Sequence, residues 1–200
     1  MKRGSMRFWL CVSLLLATQG TSAPDALMAS QNTTRTAAHR ANELLLAGLR
    51  PGRDTFAVAE KRFKSRNLSG DKDSGYREWR DDCSGRAIRV ELDDKSVIQS
   101  VTITTLEPQE GKCGDRQADF LDPKNWVTGL GLRIGDSQDR IVGVYGEPNS
   151  SGPASKYGKE LALMYYQFDW AGSDVPQVME VLCARETGRV VEITLAFPSL

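Results

Sequence analysis

Histidine is all but missing from this chain: His39 is the one imidazole among 200 residues. A Ser-His-Asp or Cys-His arrangement would have to use it. It has no informative neighbour, so a surface position on a helix is expected. The H-E-x-x-H spacing of zinc hydrolases, the Walker loop and the dinucleotide fingerprint are all absent. Cysteine is sparse as well. Cys11, Cys83, Cys113 and Cys183 include no C-x-x-C pair, which leaves zinc-ribbon and thioredoxin-type readings without support. Charge of one sign is not in excess, with 26 basic against 26 acidic side chains, so no nucleic-acid or anionic-membrane surface is expected. The apolar run from Phe8 to Ala17 is shorter than the about 20 residues a membrane span needs. No cofactor is expected.

The first residues are nevertheless distinctive. Lys2, Arg3 and Arg7 precede that run, and Thr21-Ser22-Ala23 follow it. This is the order of a secretory signal, with cleavage after residue 23 and a mature chain from Pro24. The competing reading is a retained N-terminal anchor. Cys11 lies too early to close a lipobox, so no lipid anchor and no integral segment in the mature chain are expected. Cleavage takes the basic count from 26 to 23 against 26 acidic.

G-L-R-x-G occurs twice, at Gly48–Gly52 and Gly131–Gly135. After each comes a residue able to cap a helix, Asp54 or Ser137, then apolar residues at helical spacing: Val58, Ala59 and Phe63, or Ile141, Val142 and Tyr145. Gly146 and Pro148 stop the second helix. The arginine of each motif is a turn-bracing or surface side chain rather than a ligand. A further helix is expected over 33–47. Downstream, residues 86–104 and 177–197 each alternate as two strands around a polar turn, preceded by one more strand at 76–81 or 161–170. The segments SRNLSGDKDSG and NSSGPASKYG read as loops. Residues 24–41 are then a tail and the start of a helix, 42–107 a first repeat, 108–125 a linker and 126–200 a second repeat. The fold class expected is α+β: two tandem repeats, each a short helical segment packed on a three- to four-stranded antiparallel meander sheet.

The string Gly135-x-Ser137, Ile141, Tyr145-Gly146-x-Pro148 resembles the helical signature of the BamE (SmpA/OmlA) envelope proteins. Two such modules in an exported chain are similar to the β-lactamase inhibitor protein family. The first copy departs from the pattern, with Asp54 for the serine and RFKSRN in place of YGEP, and the lipidated cysteine of the envelope lipoproteins is lacking. The resemblance implies protein binding rather than catalysis, with another protein as partner.

Strand alternation divides the side chains into two faces. Trp79, Ile88, Val90, Leu92, Val101 and Ile103 are the core face of the first copy. Met164, Tyr166, Phe168, Trp170, Met179, Val181, Cys183, Val191, Ile193, Leu195 and Phe197 are that of the second. The opposite face is polar in the first copy, through Arg77, Arg89, Glu91, Ser100 and Thr102. In the second it is apolar, through Leu161, Leu163, Tyr165, Val178, Leu182 and Val190. Such a face needs a cover. It is either a partner-binding face, contacted through Leu163, Tyr165, Leu182 and Val190, or it is covered by the first copy, the linker or the N-terminal helix. Trp126 is a further candidate anchor, with a core or hinge role as the alternative.

Cys83 and Cys113 follow strands that end at one edge of a meander, so a disulfide between them is expected, with two free thiols as the alternative. Asp81-Asp82 and Asp93-Asp94 are either turn formers or paired carboxylates for acid/base work. Asn67, Ser69, Asp71 and Asp73 alternate as oxygen ligands would, yet lack the glycine and terminal glutamate of an EF-hand loop. The expected function is an exported, non-enzymatic protein-binding module. The alternatives are an envelope assembly or maintenance factor binding outer-membrane or cell-wall components, and a small secreted hydrolase using the aspartate pairs.

Overall fold

Where apolar and polar residues alternate, the chain is extended. The computed structural model describes residues 42–64, 68–70, 75–105, 119–168 and 177–197, all within one compact unit. Helix α1 (Phe56–Phe63) is followed by strands β1 (Leu68–Ser69), β2 (Tyr76–Asp81), β3 (Arg86–Leu92) and β4 (Ile98–Thr105). Two 3-10 turns (Asp119–Leu121 and Pro123–Asn125) lead to α2 (Gln138–Tyr145). Then come β5 (Ser150–Lys156), β6 (Lys159–Phe168), β7 (Gln177–Ala184) and β8 (Val190–Ala196).

The expectation of two tandem α+β repeats, each on its own sheet, is corrected. The strands form a single antiparallel sheet in the order β1-β2-β3-β4-β8-β7-β6-β5, so the described residues are mainly β with two short helices. The reason lies at one seam. The last strands of the two expected meanders pair with each other, from Ser100↔Ala196 to Thr104↔Glu192, instead of being left as edges. An unpaired edge exposes a row of backbone donors and acceptors, and edge-to-edge pairing satisfies them. At the far edge β5 carries Pro153, which cannot donate to a further strand. Both β1 and β5 fall in segments read as loops: their Ser, Gly and Pro content suits an edge as well as a turn.

The repeated G-L-R-x-G has a role at this seam. The N–H of Gly52 donates to Ile98 O at 2.7 Å, and Ile98 N–H returns to Asp54 O at 2.8 Å. Likewise Gly135 N–H donates to Val190 O and Val190 N–H to Asp136 O, both at 2.8 Å. Ile98 and Val190 are the first residues of β4 and β8, so each motif hooks the start of one seam strand. Leu49 and Leu132 are fully buried pegs. A side chain at Gly52, where φ is 75°, would bring its Cβ within 2.7 Å of the Phe197 ring. Ser137 caps α2 by accepting from Arg140 N–H at 3.3 Å. Asp54 does not cap α1, whose N-cap is Thr55; its carboxylate instead accepts from Arg50 N–H at 2.8 Å and closes the turn.

Residues 42–50 hold no helix, against the helix expected over 33–47, whose first part and His39 lie outside the described residues. The cause is Glu43, a good helix former that is 1% exposed. Its Oε1 accepts from the N–H groups of Leu44, Leu45 and Gly129 at 2.9–3.0 Å. Its Oε2 accepts from Leu130 N–H at 2.9 Å and from Tyr145 Oη at 2.6 Å. These bonds compete with the helical ladder and pin the segment against the loop before α2. Gly129 must lack a side chain, since a Cβ there would lie 2.6 Å from Glu43 Oε1.

The core lies between the sheet and the helices. Trp79, Ile88, Val90, Val101, Ile103, Met164, Tyr166, Phe168, Met179, Val181, Cys183, Ile193 and Leu195 line it as alternation predicts, with Leu92 partly buried at its rim. Trp170 lies outside the described residues. Two placements differ. Arg77 lies on the core face, its guanidinium 5.4 Å from the centre of the Phe56 ring. The register also shifts between Leu182 and Cys183, so Cys183 pairs with Val190 and Val191 is the extra residue. Such a bulge moves alternation by one position. It turns Val190, 1% exposed, into the core in place of Val191.

Burial pushes the Cys183 thiol from its ordinary 9.0 up to about 11, while a hydrogen bond with Gln138 pulls the other way. The folded protein therefore holds this proton more tightly than the unfolded chain does. The stability it contributes is complete below about pH 9 and falls as pH rises toward 11. Iodoacetamide at pH 8 is expected to spare Cys183 in the native protein and to label it in urea. Native labelling at the denatured rate would contradict the buried placement.

Candidate partner-binding face

One face of the sheet carries the helices; the other has no helix over it among the described residues. Its side chains follow from the pairing register. The central row runs Glu78, Arg89, Thr102, Thr194, Glu180 and Tyr165 across β2, β3, β4, β8, β7 and β6. Thr102 and Thr194 meet at the seam with hydroxyl oxygens 2.9 Å apart. A flanking row runs Arg80, Ala87, Thr104, Glu192, Leu182 and Leu163. On the other side Tyr76, Glu91, Ser100, Ala196 and Val178 are aligned.

This face is curled. β2 and β6 stand five strand spacings apart, about 24 Å in a flat sheet. Yet Glu78 on β2 and Tyr157, between β5 and β6, line one cavity of about 360 Å³. The tip of the β5–β6 hairpin therefore arches over the open face. Lys156 Nζ reaches Glu192 on β8, donating to both carboxylate oxygens at 2.7 and 2.8 Å. Beyond this bridge lies a second cavity of about 700 Å³, which shares Thr104, Lys156, Tyr157 and Glu192 with the first.

The tip is a two-residue turn with positive φ at both Tyr157 (55°) and Gly158 (72°). That backbone suits Asn or Gly; a tyrosine there is held at a cost. Tyr157 is also 69% exposed. A costly backbone under a solvent-facing aromatic is a mark of a functional position. The sequence signal was the Tyr-Gly pair between two alternating runs, hidden inside a segment that reads as a breaker-rich loop.

Of the contact residues expected from sequence, Leu163, Tyr165 and Leu182 come together. Leu163 pairs directly with Leu182, and Tyr165 with Glu180. Leu163 and Tyr165 are half-buried, and Leu182 is 9% exposed. Val190 does not join them, because the bulge turns it inward. Trp126 is not a surface anchor either. It is 5% exposed in the helix-side core, its Nε1 donates to Phe120 O at 3.0 Å, and the Arg86 guanidinium lies 5.2 Å from its ring.

The aspartate pairs build turns. Asp81 accepts from Ser84 N–H at 2.9 Å, and Asp82 pairs with Arg80. Asp93 accepts from the N–H groups of Lys95 and Val97 at 2.9 and 2.7 Å. Asp93 Oδ2 also accepts from Gln99 Nε2 at 3.2 Å, so Asp81, Asp82 and Asp93 are each engaged in turn or surface contacts. Among the described residues no group of His, Cys, Asp and Glu is placed to hold a metal ion; positions 67 and 71–74 of the alternating oxygen run lie outside them. Cys83 is disulfide-bonded, and its expected partner Cys113 also lies outside the described residues. No described helix is long and apolar enough to cross a membrane.

No family model matches this chain, and no curated protein matches it. Among solved structures it is similar to a DUF4309 family protein, YjgB, from Bacillus subtilis subsp. subtilis str. 168. The two share 10% identity over 78% of this chain and 88% of that one, with a TM-score of 0.43. At that level the likeness bears on no residue of the site.

Proposed function

We propose that the protein is an exported, non-enzymatic binding module that docks another protein on the open face of its sheet. The observation that carries this reading is the face itself: a curled sheet surface with no covering helix among the described residues, which carries Leu163, Tyr165 and Leu182 on paired strands and the exposed Tyr157 at its hairpin tip. Aromatic and aliphatic anchors beside a polar floor are the usual make-up of a protein interface. The BamE-like and β-lactamase-inhibitor-like resemblance points the same way. Export rests on the basic, apolar and small-residue order of residues 1–23.

The test is capture from an extract of the source organism's envelope and medium. The wild-type protein is expected to retain one partner in stoichiometric amount. A Leu163→Arg/Tyr165→Arg variant, with the near-UV circular dichroism of the wild type, is expected to lose it. Each anchor should cost about 2 kcal/mol, roughly 30-fold in affinity. A partner that enzyme assays show to be blocked would place the module among inhibitors; a cell-wall or outer-membrane partner would make it an envelope factor. Equal retention by both proteins would remove the face from the reading.

A further inference from the structure

The charges on the open face are not balanced. Arg80 pairs with Asp82, Arg89 with Glu91 at 3.5 Å, and Lys156 with Glu192. Arg80, Arg89 and Lys156 thus each have an acid of their own. Glu78 and Glu180 remain: among the described residues no hydrogen bond or ion pair reaches either carboxylate, and only Arg89 opposite Glu78 and the more distant Arg80 offset Glu78 in part. They stand in the same cross-strand row, on either side of the Thr102–Thr194 hydroxyl pair. From that charge pattern, and resting on the docking role assigned above to this face, we infer that the partner presents a lysine- or arginine-bearing loop, whose cation enters the groove toward Glu78 and Glu180 beside Tyr157.

Independent features support this occupant. The face already holds an ammonium group of its own. Lys156 is gripped by both oxygens of Glu192, whose side chain is only 7% exposed, and its Nζ lies 5.3 Å from the centre of the Tyr157 ring. The groove therefore accommodates a cation against a carboxylate and an aromatic ring, the pairing a second basic side chain would repeat. An acidic segment, a phosphorylated one or a nucleic acid would set like charge against Glu78 and Glu180, which is costly at an interface. A loop fits better than a strand, because Pro153 blocks strand addition at the β5 edge. The cavity of about 360 Å³ also admits a few side chains rather than a helix.

The probe is a display library of disulfide-closed peptides, each with seven random residues, selected on the purified protein. Parallel selections use Glu78→Gln/Glu180→Gln, which keeps shape and removes both charges, and the Leu163→Arg/Tyr165→Arg variant. Loops enriched on the wild type are expected to carry net positive charge. They should bind the double glutamine variant at least about tenfold more weakly and lose affinity with added salt. Lys156→Met, which frees Glu192, is expected to tighten them. Enriched loops that are neutral or acidic, yet lost on the Leu163/Tyr165 variant, would overturn the charge assignment and leave the docking face standing. Basic loops that bind the glutamine variant unchanged would overturn it too. If no enriched loop depends on the face at all, both the charge assignment and the docking role fall.

Discussion

Glu43→Ala is expected to lower the unfolding free energy by about 4 kcal/mol, because it strips the acceptor from several buried donors at once. The N–H groups of Leu44, Leu45, Gly129 and Leu130 and the Tyr145 hydroxyl all point at this one carboxylate. Each donor left dry costs about 1–3 kcal/mol, offset in part where water follows. Thr128 retains Tyr145 Oη at 2.7 Å, so the phenol is not wholly abandoned. Burial first, and then the Glu43 carboxylate, push the Tyr145 phenol well above its ordinary range, so it remains the donor across the accessible pH range. Tyr145→Phe should cost less, about 1–2 kcal/mol, since it removes one donor and leaves the carboxylate its amides. The two losses should be non-additive in a double-mutant cycle. Urea unfolding followed by tryptophan fluorescence and by far-UV circular dichroism measures all three. A loss below about 1 kcal/mol for Glu43→Ala, with m unchanged, would mean that the carboxylate is not the clamp it resembles.

Trp79→Ala is expected to cost about 4 kcal/mol, from a cavity and from a broken helix end together. Trp79 is fully buried under α1, edge-on to Phe63 with ring centres 5.0 Å apart and stacked on Phe56 at 6.1 Å. Its indole Nε1 donates to Lys64 O at 2.6 Å. Lys64 ends α1 with φ at 64°, a backbone a lysine adopts only under constraint, and the indole bond is part of that constraint. Trp79→Phe keeps most of the volume and loses the bond, so about half the loss is expected. A Trp79→Phe variant as unstable as Trp79→Ala would assign the effect to the helix end rather than to packing. Because β4 and β8 join the eight described strands into one sheet, each variant should unfold in a single transition.

Much of the local structure was legible. The strands at Tyr76–Asp81, Arg86–Leu92, Ile98–Thr105, Gln177–Ala184 and Val190–Ala196 stand where the alternating runs put them. The acidic turn at Asp93 closes as its residue types require. The Ser137 cap was readable because N-capping is a local bond between near neighbours. The helix expected over 33–47 failed at its described end because Glu43 bonds to residues 86 and 87 positions away, and no window of sequence sees that far. The candidate site divided in the same way. Leu163, Tyr165 and Leu182 share the open face because no bulge separates them, whereas Val190 lies one bulge beyond Leu182. Trp126 was a large aromatic beside a turn, and only its burial beneath Arg86 made it core.

By itself the amino-acid order determined most of the extended runs, their turns and, away from Arg77 and the Val190 bulge, which side of these strands is apolar, because these rest on side-chain period and on bonds between near neighbours. It also carried two hooks of the same form, G-L-R-x-G, without saying what they hold. The tertiary structure alone decided that β4 pairs with β8, that the sheet is therefore one, and that its curl brings Tyr157 over Glu192 and toward Glu78. The physical reason is that backbone hydrogen bonds across a seam are blind to side-chain identity. Any two compatible edges can join; which two do so depends on the whole chain having folded.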